Sequence, residues 1–335
     1  MPTSRHKPQA QTTQANITQA KRLAWRTGFF ALFVLAPVFD ILRLDLTLGH
    51  FILFGHNWTL GIDAFSSGQT SPLQAGFDIF WRGFLPLILI IGTGFYVSWR
   101  WGRLYCGWLC PHFSVVESIN ALMRRASGKP SLWEKKSLPE KRPDGAVIRT
   151  NKLWWIPTVV AVIGFAFLWA VAFLTYLLPP IEIYSNLWNL SLTDNQSRFI
   201  LVATLLLSIE FAFARHLFCR FGCAVGLFQS LIWMANKKAM VVGFNRDRAH
   251  ACDDCDMACE HACPMRLKPR TIKRRMFTCT QCAQCVQACE HTRVPHKDDG
   301  VLKWVDNSCA LPVSDMDFGR RPKIDKRCFE SDGDT

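Results

Sequence analysis

The chain has 335 residues, half of them hydrophobic, with 13 tryptophans and a net charge of +13. Its apolar residues gather into long uncharged runs, which excludes an ordinary soluble globule. The basic balance comes with no nucleic-acid motif, so no nucleic-acid partner is expected and the charge points to anionic membrane lipid.

Residues 1–22 read as a disordered cytoplasmic tail, rich in Gln and Thr. Four spans follow, at about 23–42, 84–99, 153–178 and 199–218. The first competes with a signal peptide, because Lys21, Arg22 and Arg26 form a positive flank. A polar leader ahead of that flank suits an uncleaved anchor better. The loop after span one, "RLDLTLGHFILFGHNWTLGID", is apolar and punctuated by glycine. It is expected to lie against the membrane on the outer side. His50 and His56, with Asp45 and Asp63 nearby, are candidate copper ligands there.

Loop charge fixes the expected orientation. The segment 100–152 and everything after Arg215 are rich in Lys and Arg, whereas 179–197 has neither. Positive loops stay inside, so both termini are expected in the cytoplasm of a multi-pass protein of the bacterial inner membrane. Residues 126–146 read as a polar linker. Glu210, inside span four, is a costly carboxylate and a low-ranked candidate for proton transfer or quinone contact.

Two short cysteine pairs leave the membrane. "YCGWLCP" carries Cys106 and Cys110; "CRFGC" carries Cys219 and Cys223. At i and i+4 each pair would share one helix face. If spans two and four are neighbours, four thiols converge as a redox or metal site. The alternative is plain packing of small side chains at a helix end.

The densest chemistry lies at 252–289. "CTQCAQCVQAC" places Cys279, Cys282, Cys285 and Cys289 at the C-x2-C-x2-C-x3-C spacing of bacterial ferredoxins. "CDDCDMACEHACP" places Cys252, Cys255, Cys259 and Cys263, with one extra residue between the second and third cysteines. The ferredoxin pairing assigns Cys252, Cys255, Cys259 and Cys289 to one [4Fe-4S] cluster. It assigns Cys279, Cys282, Cys285 and Cys263 to the other. Structural zinc is the rival, since C-x2-C pairs also suit it, but zinc sites rarely show this triplet-plus-one grammar. Arg266, Lys268, Arg270, Lys273, Arg274 and Arg275 surround the unit and would favour reduced, more negative clusters. Cys309 and Cys328 have no partner spacing and are expected as free thiols.

The fold expected is thus an all-α polytopic membrane protein of about four transmembrane helices, 23–235, with a small cytoplasmic α+β ferredoxin-type domain, 245–300. A charged tail, 301–335, would follow. "YCGWLCP" and "CRFGCAVGLFQS" together with a ferredoxin unit resemble the membrane polyferredoxins, the NapH, NosR and CcoG (RdxA/FixG) proteins. "RLDLTLGHFILFG" and "FQS" look closest to the CcoG branch. The resemblance implies two [4Fe-4S] clusters and inner-membrane electron transfer, with respiratory-chain or oxidase-assembly proteins as partners. For the CcoG branch it implies copper(II) reduction, for NapH a quinol dehydrogenase subunit. Copper and quinone are accordingly the further cofactor candidates, and a non-redox metal-binding scaffold is the remaining alternative. Ala224 stands where the family usually has proline.

Overall fold

The computed structural model describes residues 8–143, 145–253, 255–294, 299–314 and 324–329, with side chains described from residue 16 onward, Lys326 excepted. It is mostly helical. Residues 28–96 and 159–214 form one compact unit; the other described residues form a second.

Three helical stretches are long and apolar enough to cross a membrane: α2, Pro72–Trp101; α5, Lys152–Thr175; and the stretch Asp194–Ala235. The sequence led us to expect four. The fourth expected span falls largely on α1, Pro8–Leu35. Its apolar part begins only at Leu23 and the helix stops at Leu35, about 20 Å against the roughly 30 Å of a bilayer core. The polar half of α1 also replaces the expected disordered tail from Pro8 onward. In α2, Leu87, Ile88, Leu89, Ile90 and Ile91 are each more than half exposed, all round the helix. Lipid, not water, makes such a surface favourable.

The stretch after α1 is a three-stranded antiparallel sheet, which the sequence reading missed. Strands β1 (Leu42–Asp45), β2 (His50–Leu53) and β3 (His56–Trp58) pair in order, with Asp45 opposite His50 and Phe51 opposite Trp58. Phe54 and Gly55 both take positive φ, +50° and +76°, the two-residue turn that matches strand twist. Asp45 closes the first hairpin. Burial raises its carboxyl pKa, but bonds from Thr47, Arg43 and the Leu48 amide outweigh that and hold it at about 2.

The second unit is built round an antiparallel pair, β4 (Val241–Phe244) and β5 (Leu302–Val305). Between the strands run two short helices, Ala258–Ala262 and Gln284–Arg293. The unit is ferredoxin-type in order: strand, cysteine run, helix, cysteine run, helix, strand. Residues expected as a charged tail are folded in. β5 pairs with β4, helix Asn307–Ser314 follows, and Ile324 is buried beside them. A Cys309–Cys328 disulfide, with 5.9 Å between Cα atoms, ties this return together. The expectation of two free thiols is therefore corrected. Spacing in sequence gave no hint, because the pair is made by the chain folding back.

Candidate metal centres

The eight cysteines of 252–289 divide between two cavities. One, with about 20 Å³ of free space, is lined by Cys263, Cys279, Cys282 and Cys285. The other, with about 10 Å³, is lined by Cys252, Cys255, Cys259 and Cys289. Both sets cross between the two cysteine runs. The cause is local. Met257, Gln281 and Ala283 take left-handed φ between +50° and +58°, curling each run so that its first three thiols face one hollow. The short helix after each curl carries the fourth thiol to the other hollow.

No group of three or more Cys, His, Asp or Glu among the described residues sits close enough to hold one metal ion. A single tetrahedral ion needs sulfurs about 4 Å apart, from Zn–S bonds of about 2.3 Å. Four thiols set round a hollow, and not gathered on one point, suit an iron–sulfur cube instead. Amides already point at the sulfurs: Val301 donates to Cys289 Sγ at 3.3 Å and Leu267 to Cys263 Sγ at 3.4 Å. Burial pushes the Cys259 and Cys279 thiols up to about 12, and Cys263 and Cys289 to about 11. Without a cation these groups keep their protons; a metal must displace them. Arg270 stands in the wall of the smaller cavity, bonded to Glu260 at 3.0 Å and acting on Cys252 and Cys259. Of the other surrounding cations, Arg266 pairs with Glu134 at 2.6 Å and Lys273 is fully buried, its Nζ donating to the Trp233 and Asn236 carbonyl oxygens.

The membrane-edge pairs share one design, and it is not a continuous helix. Cys106 lies in α3, Leu104–Trp108; the chain then breaks, and Cys110 is the N-cap of α4, Pro111–Ser127. Cys219 lies in a π-helical turn, Phe218–Gly222; the chain breaks again, and Cys223 is the N-cap of helix Ala224–Ala235. The shared-face geometry expected from i, i+4 spacing is thus corrected. Cys223 instead presents its sulfur to a free amide, that of Gly226 at 3.4 Å, whereas Cys110 caps its helix without a side-chain bond. Helix N-termini favour thiolate. Burial pushes Cys110 up to about 11 and raises Cys106. Cys106, Cys110 and Cys223 lie within one another's field.

Arg103 is the residue the sequence reading undervalued. From sequence it is one of the basic residues of the segment 100–152. It is 1% exposed, donates from Nη2 to the Cys219 carbonyl at 2.8 Å, and acts on both the Cys106 thiol and Cys279. Among the described residues its Nε and Nη1 have no assigned acceptor, and its guanidinium acts directly on the Cys106 thiol. Gly226 makes room for it: a Cβ there would stand 2.2 Å from Nη2. The first pair also seats directly on the larger cavity's loop. A Cβ on Gly107 would stand 2.1 Å from the Thr280 carbonyl oxygen, Trp108 donates to the Gln281 carbonyl at 3.0 Å, and Gln19 to that of Cys282 at 2.9 Å. The signal for Arg103 was its place three residues before Cys106; no sequence signal marks Gly107's contact.

The remaining candidates are not drawn in. Glu210 opens a π-helical turn, Glu210–Ala214, in the unit that lacks the cysteines. His50 sits at one end of β2 and His56 opposite Leu53 at the other, about 10 Å along the strand.

A family described as 4Fe-4S binding domain matches residues 82–130 and 195–240. The matched stretches contain the two membrane-edge pairs, whereas the eight cysteines of 252–289 lie outside them. An uncharacterized protein of Methanocaldococcus jannaschii is 26% identical over 190 residues, 56% of this chain and 69% of that one. The putative electron transport protein YccM of Escherichia coli is 23% identical over 56% of this chain and 48% of YccM. The regulatory protein NosR of Pseudomonas aeruginosa is 26% identical over 61% of this chain and 27% of NosR. The chain therefore matches about half of YccM and about a quarter of NosR. No solved structure matches. The resemblance to NosR- and NapH-type 4Fe-4S membrane proteins holds, at modest identity.

Proposed function

We propose that the protein is a membrane electron-transfer protein that passes single electrons between a cytoplasmic donor and a membrane-linked acceptor. Cys252, Cys255, Cys259 and Cys289 would hold one [4Fe-4S] cluster. Cys263, Cys279, Cys282 and Cys285 would hold the second. The carrying observation is that each cavity is lined by the four cysteines that the ferredoxin spacing pairs. When bound, such a cluster takes up and returns one electron at a potential set by charge, hydrogen bonding and exposure.

The chain's own residues do the rest. The amides of Val301 and Leu267 orient sulfur, Arg270 and Arg103 supply positive charge, and burial keeps water out. The four membrane-edge thiols form the outlet, a redox or metal site. The seating of Gly107 and Trp108 on the Thr280–Cys282 loop supports that order. The electron-transport name of YccM agrees with this reading. Copper(II) reduction and oxidase assembly, or quinol oxidation, rest on family resemblance, as does the cytoplasmic side assigned to the iron–sulfur unit.

Anaerobically purified protein should be brown, with about eight irons per chain and two dithionite-reducible signals in low-temperature EPR. Stoichiometric zinc without iron would refute the reading. A count near twelve would put a third cluster on the membrane-edge thiols.

A further inference from the structure

A third cavity in the iron–sulfur unit is distinct from the two lined by the cysteine sets and shares only Cys263 with them. It holds about 210 Å³ of free space, smaller than a drug-sized site but enough for a phosphate group, and is open to solvent. Arginines from three separate segments line it: Arg124 and Arg125 from α4, Arg142 from the following loop, and Arg266 from the turn after Cys263. The loop read from sequence as a linker is instead folded as a wall. Leu138 N–H donates to the Gly128 carbonyl, Asn151 to that of Arg125, and Ile148 to that of Glu140, all at 2.8 to 2.9 Å. Secondary contacts hold the arginines in place. Arg125 stacks over Trp154 at 4.7 Å, Arg124 donates to the Pro139 carbonyl at 3.0 Å, and Arg266 pairs with Glu134.

Glu117 is the lone carboxylate among the lining residues, and Arg22 and Arg26 already pair with it. Four lining guanidinium groups thus outnumber the carboxylates beside them, Glu117 and Glu134, and give the hollow a net positive lining. Fixed guanidinium forks suit planar or tetrahedral oxyanions, and several converging forks suit a group with three oxygens and up to two charges.

We propose that this cavity binds a phosphate-bearing ligand, either a soluble phosphate compound or the headgroup of an anionic lipid. The inference goes beyond electron transfer and does not depend on it. Its place beside Cys263 and Pro264 puts the bound anion against the backbone of a proposed cluster ligand.

The test uses the full chain in neutral detergent, titrated calorimetrically with inorganic pyrophosphate. One saturable site is expected. Arg142→Gln, on an exposed loop, and Arg124→Gln should each weaken it about tenfold or more. Lys238→Gln, a basic residue outside the cavity, should leave it unchanged. Repeating the titration in phosphatidylcholine and phosphatidylglycerol nanodiscs separates the sources. Competition by phosphatidylglycerol identifies a lipid headgroup; affinity retained in both identifies a soluble ligand. No saturable binding, or an equal loss in Lys238→Gln, overturns the proposal.

Discussion

Gly107→Ala tests whether the membrane-edge turn and the larger cavity's loop are one piece of machinery. The added Cβ would stand 2.1 Å from the Thr280 carbonyl oxygen, where ordinary contact begins near 3.4 Å. Either the carbonyl or α3 must retreat by roughly 1 Å. The obstacle is backbone, so no side chain can swing away. Thr280 lies between Cys279 and Cys282, and the carbonyls on either side of Cys282's own amide are pinned by Trp108 and Gln19. Overpacking of this kind costs about 1–3 kcal/mol, or a fall in Tm of roughly 2–10 °C for a domain of this size. The strain should fall on one cluster. In low-temperature EPR the signal assigned to Cys263, Cys279, Cys282 and Cys285 should shift or disappear, with up to half the iron lost. The other signal should persist. Gly92→Ala is the control, since nothing lies within 4 Å of a Cβ there. Unchanged Tm, iron and both signals in Gly107→Ala would show that the turn does not seat on the loop, and the proposed outlet would lose its support.

Cys263→Ala and Cys285→Ala should perturb the same EPR signal, and Cys255→Ala the other; a match between Cys263→Ala and Cys255→Ala would break the assignment. Cys106→Ala/Cys110→Ala, Cys219→Ala/Cys223→Ala and the quadruple variant should all lose electron transfer to a similar degree, because groups acting as one unit are non-additive; losses that multiply independently would mean two separate sites. For Lys273, burial lowers the ammonium pKa from 10.5 to about 8. Between those values the unfolded chain binds the extra proton, so stability should rise with pH from about 8 to about 10.5. Cluster-loaded protein followed by thermal melts across that window should show the rise, Lys273→Met should flatten it, and identical slopes would refute the burial argument.

What could be read from the sequence was what depends on local spacing. The proposed assignment of Cys263 with Cys279, Cys282 and Cys285 needs only the count of residues between thiols; the same four line one cavity. The apolar length of α5 likewise needed no tertiary knowledge. Features made by the chain returning on itself were hidden. The 42–58 sheet has strands of three or four residues, too short for alternation to declare itself. Residues after 301 are polar enough to pass as a tail, yet β5 completes a sheet begun at Val241. Arg103 gave two readings at once: a charge beside a span obeys the positive-inside trend, and only burial among thiols reveals the second role.

The same distinction explains the one departure from the family pattern at the second pair. Cys110 is followed by proline and Cys223 by Ala224. Both following residues are the first of a helix, and both cysteines are its N-cap. At that position the backbone amide has no intrahelical acceptor, so proline's missing N–H forfeits nothing and its fixed φ suits the helix. Alanine reaches the same φ freely and loses only the pre-organisation of the unfolded chain, worth about 0.4–1 kcal/mol. The sulfur's donor is two residues further on, the Gly226 amide, and it is present. The geometry that turns Cys223 toward Cys106 and Cys110 therefore does not require the proline. A motif that demands the residue would reject a site whose physical requirement, a free helix N-terminus behind the second cysteine, is met.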